Sequence, residues 1–160
     1  MPLATGSIDE DGTPRIHFEL SGRPFRRGKA GPTLEGVIDT GFVGFVSIPL
    51  QEAFLRELPL AGFTYAKVAD GRTTKRLTAR GYARIGNRSE KVTVILEPSS
   101  DEILIGVALL RARELALLLS RDQVLLLDER SASIFLGLGS GGDCVRDSSG
   151  LSDWETPYQS

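Results

Sequence analysis

The sequence predicts a mainly β, barrel-like fold with one or two short helices. Three observations predict it. Short apolar runs recur at close spacing, several alternating apolar with polar residues. Turn pairs separate them at Asp11-Gly12, Asp70-Gly71 and Gly86-Asn87, the chemistry that tight hairpins need. Only the stretches 50–58 and 107–113 carry a helical pattern. At 160 residues and 41% hydrophobic, the chain fits one domain that can build its core without metals or disulfides.

The elements follow in order. Residues 1–7 read as a flexible N-terminus. Residues 15–20 alternate as a strand on Ile16, Phe18 and Leu20. The Gly-, Pro- and Arg-rich residues 21–32 read as a loop. Residues 33–39 form a strand that runs into Asp39, and a second apolar run covers 42–48. Pro49 starts a helix with Leu50, Phe54, Leu55 and Leu58 on one face. Residues 63–69 and 72–85 make a hairpin around Asp70-Gly71. Residues 91–96 and 102–105 read as strands, and 107–113 as a short helix. Residues 115–119 and 123–128 read as two strands, with a further one at 133–138. The Gly-, Ser- and Asp-rich residues 139–160 read as a disordered tail, which leaves 8–138 as the folded domain.

Charge and composition exclude several functions. The formal net charge is −2, which argues against nucleic-acid binding through a broad basic surface. The local basic clusters (Arg23, Arg26, Arg27 and Lys29; Arg72, Lys75, Arg76 and Arg80) read as solvated faces. Glu90, Asp101 and Glu102 likewise read as loop charges. No apolar run reaches the roughly 20 residues of a membrane span. The first six residues lack the basic and apolar regions of a signal peptide. Cys144 is the only cysteine, which suits a reducing, cytoplasmic location. His17 is the only histidine and has no cluster to join, so neither a metal site nor a Ser-His-Asp triad is expected. Gly137-Leu138-Gly139-Ser140-Gly141-Gly142 matches Gly-x-Gly-x-x-Gly, but no βαβ unit surrounds it, so it reads as a linker. No cofactor is expected.

The segment that carries chemistry is Gly36-Val37-Ile38-Asp39-Thr40-Gly41. It sets a carboxylate at the end of an apolar strand. Thr40 offers a hydroxyl that can lock a turn or reach a partner copy. Gly41 lets the backbone turn where a Cβ would clash. Downstream comes Leu104-Ile105-Gly106, followed by a helix with paired leucines, and the Asp70-Gly71 hairpin lies between.

In that order, these features resemble the single-domain, retropepsin-like aspartic proteases over residues 8–127. The resemblance implies a closed acid-protease β-barrel. Asp-Thr/Ser-Gly occurs once here, as in the homodimeric retroviral type. It therefore implies a dyad of Asp39 from two chains, supported by Thr40 and Gly41, that activates a water to hydrolyse a peptide bond. It also implies a flap carrying Ala69, Asp70 and Gly71, a substrate cleft reaching Phe42, and Leu104, Ile105 and Gly106 as the second family motif. The partners implied are a second copy and a peptide or protein substrate, with no nucleic acid and no membrane. The chain departs from the family pattern in two places. Phe42 stands where many active members carry a small residue, and Val107 stands where retroviral enzymes carry a dimer-bracing arginine. The expected flap also differs, since Asp70 with Arg72 and Lys75 gives a charged rather than a glycine-rich tip. Phe42 and this charged tip leave open an alternative, a weak or inactive dimerisation or peptide-binding module.

Overall fold

The computed structural model describes residues 1–67 and 71–137. In chain order the elements are β1 (Ala4–Ile8), β2 (Pro14–Ser21), β3 (Thr33–Asp39), β4 (Val46–Pro49), α1 (Leu50–Leu55), β5 (Leu60–Lys67) and β6 (Thr73–Ile85). There follow β7 (Arg88–Glu97), β8 (Leu104–Gly106), α2 (Val107–Ala112), β9 (Ala116–Leu119), β10 (Gln123–Leu127) and α3 (Glu129–Phe135). The fold is mainly β.

The ten strands among the described residues join one sheet, ordered β5-β6-β7-β4-β8-β3-β2-β1-β10-β9, and β2 also pairs with β6. The pairings β6-β7-β4-β8-β3-β2 therefore return to β6. Alternation drives the core: Ile16, Phe18 and Leu20 of β2 point inward, as do Val92, Val94 and Leu96 of β7. They meet Val46 and Ile48 of β4 and Ile105 of β8 in one cluster. β4 is buried along its whole length, which fits a strand flanked by two others.

Several expectations change. Residues 1–7 were expected to be flexible, but Ala4–Ile8 is a strand between β2 and β10. Its Gly6 and polar Thr5 and Ser7 hide it from a β-propensity reading. Gly6 is there for space, since a Cβ would stand 1.9 Å from the Arg15 carbonyl. The strand expected at 133–138 is not one: 129–135 is helix. Asp128 caps it by accepting a hydrogen bond from the Ser131 N–H at 2.9 Å, and an N-cap of this kind outweighs the local alternation. Residues 138–160, which include the expected tail, lie outside the described residues.

The helix expected to reach residue 58 stops at Leu55. Glu57 turns left-handed (φ 52°), and Pro59 disfavours the α region at Leu58. Leu58 is buried, whereas Phe54 and Leu55 of the expected apolar face are exposed. The apolar run 42–48 also splits, with only its end forming β4. The reason lies in the site.

Candidate active site

β3 delivers Asp39. It pairs in parallel with β8, matching Val37 with Leu104, Ile38 with Ile105 and Asp39 with Gly106. The two expected motifs thus become neighbours. β8 also pairs antiparallel with β4, so it lies between the strands on either side of the Asp39 turn. Gly36 permits this layering, because a Cβ there would press on Phe18 and Ile105 at 3.0 Å.

The turn after β3 is held by backbone. The Gly41 N–H donates to Asp39 Oδ1 at 2.8 Å, and the Phe42 N–H donates to the Asp39 carbonyl at 3.1 Å. The next carbonyls serve β8 and α2. Phe45 O accepts from Gly106 N (3.0 Å), Phe42 O from Val107 N (2.9 Å) and Gly44 O from Ala108 N (3.2 Å). Residues 42–45 are therefore not strand: their carbonyls satisfy donors at the start of α2 that no side chain caps. This close approach demands glycine at 106, where a Cβ would lie 2.1 Å from Gly44 O and 2.5 Å from Phe42 O.

A cleft of about 480 Å³ opens at Asp39 and Thr40. Its apolar walls are Val37 and Ile38 of β3, Leu104 of β8, and Leu117 and Leu119 of β9. The β1–β2 turn contributes Gly12, Thr13 and Pro14, and Glu102 supplies a second carboxylate. Asp9 organises that turn. Its carboxylate accepts from Thr13 N (2.9 Å), Asp11 N (3.1 Å) and Arg15 Nε (2.9 Å). The Arg15 hydrogen bond, helped by Thr13, holds the Asp9 carboxyl below its ordinary pKa. A second hollow of about 430 Å³ lies beside Thr40, lined by Val43, Val107, Ala108 and Arg111.

Asp39, Thr40, Gly41, Leu104, Ile105 and Gly106 thus gather in one place. Asp39 is half-buried, while Thr40 and Gly41 are exposed. The Thr40 hydroxyl makes no hydrogen bond among the described residues. Phe42 sits elsewhere than at the cleft wall: its ring lies in the space a Cβ on Gly44 or Gly106 would fill. Gly71 ends the hairpin loop with a left-handed φ of 83°. Ala69 and Asp70 lie outside the described residues. Glu102, Leu117 and Leu119 line the cleft, and Asp9 with Arg15 holds the β1–β2 turn beside it; none of these five is marked by a family motif in the sequence. Asp-x-Asp-Gly-Thr at residues 9–13 is a turn signal that could have found Asp9.

Among the described residues, no group of three His, Cys, Asp or Glu side chains could hold a metal ion. No described helix is long and apolar enough to cross a membrane.

The chain is similar in structure to a retropepsin-like aspartic protease from Rickettsia conorii, with a TM-score of 0.52 over 76% of this chain and 87% of that one. The fold is retropepsin-like. Sequence identity between the two is 16%, so the likeness is one of fold. No family model and no curated protein matches the sequence.

Proposed function

We propose that the chain is one half of a homodimeric aspartic endopeptidase. The observation that carries the reading is the placement of Asp39. It ends a buried strand beside Gly106, its Oδ1 is fixed by the Gly41 N–H, and it opens on an apolar cleft. Each chain brings one such aspartate, so a second copy related by a two-fold axis supplies the other. Two carboxylates held about 3 Å apart share one proton. The ionised one takes a proton from a water, and that water attacks the scissile carbonyl. The protonated one donates a hydrogen bond to the carbonyl oxygen as charge develops there. Neither a metal nor a covalent intermediate is needed.

Other features take supporting roles in this reading. The strand circuit through β2 and β6 is the closed barrel of the protease domain. The exposed Thr40 hydroxyl and the hollow at Val43 and Arg111 face the second copy. The β5–β6 hairpin is the flap, and substrate binds as an extended strand beneath it. The alternative, a weak or inactive binding module, draws on Phe42 and on the charged hairpin tip. With its ring seated over Gly44 and Gly106, Phe42 leaves the cleft open, and this supports the active reading.

The test is peptide cleavage between about pH 4 and pH 7. Wild type is compared with Asp39→Asn and with wild type plus a pepstatin-type inhibitor. Cleavage that stops in both controls is the expected result. Cleavage that survives Asp39→Asn overturns the reading.

A further inference from the structure

We infer that Glu102 is a specificity-determining residue, and that the Asp39 cleft takes a lysine or arginine side chain of the substrate beside the scissile bond. The inference rests on the peptidase reading of that cleft. Its walls at Val37, Leu104, Leu117 and Leu119 suit a long aliphatic stem. Among the described residues, Glu102 is the one charged lining residue besides Asp39, so the cleft pairs apolar walls with a carboxylate.

That carboxylate is available. Its side chain is 52% exposed and accepts no hydrogen bond among the described residues. Arg15 is the nearest cation, and it is committed elsewhere. Its Nε is bonded to Asp9 Oδ2 at 2.9 Å, and its Nη atoms stand 3.6 Å from Glu102 and 3.8 Å from Glu35. One guanidinium thus faces three carboxylates and leaves excess negative charge at the mouth of the cleft. The Glu102 N–H donates to Ser100 Oγ at 3.1 Å, which fixes the turn that leads into β8. An apolar substrate side chain packed here would strip water from Glu102 without replacing it. A lysine or arginine would bury its stem on the leucines and leave its charge on the carboxylate.

The test uses peptides that are identical except at one position beside the scissile bond. That position holds lysine, norleucine (the same stem without the ammonium) or glutamate. Wild type is expected to cleave the lysine peptide about fivefold better than the norleucine one in kcat/KM, and the glutamate peptide worst. The preference shrinks as salt rises from about 0.1 M to about 1 M. Glu102→Gln is expected to equalise lysine and norleucine, and Glu102→Lys to favour glutamate. Asp39-dependent cleavage that ignores charge in wild type, or a lysine preference that survives Glu102→Gln, overturns the inference and leaves the peptidase reading standing. If no Asp39-dependent cleavage occurs, that reading fails, and direct binding of the same labelled peptides decides the inference. Tighter binding of lysine that is lost in Glu102→Gln supports it; equal or absent binding overturns it.

Discussion

The Asp39 turn and the β5–β6 hairpin are built in opposite ways. In the turn, the carbonyls of Phe42, Gly44 and Phe45 are each bound to a donor in β8 or α2, and Gly106 makes room for two of them. In the hairpin, β5 is an edge strand that, among the described residues, pairs with β6 alone, and it leaves Phe63 and Tyr65 exposed. Lys75 lies over the Phe63 ring at 4.1 Å, a contact between neighbouring strands of the same hairpin. One region is held from several directions by backbone; the other is tied along one side. A hydrolytic site needs its reacting group fixed, and a cover needs to move. The difference matches that division of labour.

The comparison can be broken by substitution. The largest expected effect is Gly106→Ala, whose Cβ meets two backbone oxygens that are themselves bonded. A loss of about 3 kcal/mol in urea unfolding is expected, the upper range for overpacking. A loss below about 1 kcal/mol would mean that the turn yields, and the contrast would fail.

Glu19 gives an intermediate effect. Its carboxylate accepts from Arg84 Nη2 at 2.7 Å, from Arg84 Nε and from the Gly31 N–H, while Arg84 Nη2 also donates to the Lys29 carbonyl at 2.8 Å. This set ties the basic loop 22–32 to β6. The Arg84 hydrogen bond, against the opposing cost of burial, holds the Glu19 carboxyl below its ordinary pKa. The folded value is therefore the lower one. The stabilisation is complete above the unfolded value and is lost as pH falls through the folded one. Glu19→Gln should lower stability at neutral pH by less than Gly106→Ala does, and should flatten the acid limb of stability against pH. An unchanged acid limb would show that Glu19 is not the group responsible.

The smallest effect belongs to the hairpin. Tyr65→Thr replaces an aromatic strand former with a β-branched one on an exposed face and should change stability by less than about 0.5 kcal/mol. A loss near that at Gly106 would show the hairpin to be as firmly held as the turn.

Much of this was legible in the sequence where local chemistry and tertiary demand agree. The strand 33–39 is found with the bounds expected for it, because apolar residues and the terminal Asp-Thr-Gly point the same way. The Asp39 and Gly106 motifs were each visible, but their pairing was not, since parallel neighbours distant in sequence leave no local signal. β1 was hidden because Gly6 answers to the nearby Arg15 carbonyl rather than to strand propensity. α3 was misread because Ile134 and Leu136 alternate, whereas the cap at Asp128 decides the helix. The cleft walls at Leu117, Leu119 and Glu102 depend on how β9 and the turn before β8 fold back towards Asp39, which spacing alone does not encode.

The central claim is that one active site takes an Asp39 from each of two chains. Mixing wild type with Asp39→Asn at constant total concentration, with time for subunits to exchange, tests it directly. Two-chain catalysis predicts that peptidase activity falls with the square of the wild-type fraction, to about a quarter in an equal mixture, as random pairing of two subunits requires. Activity that falls in simple proportion, to about half, would contradict it.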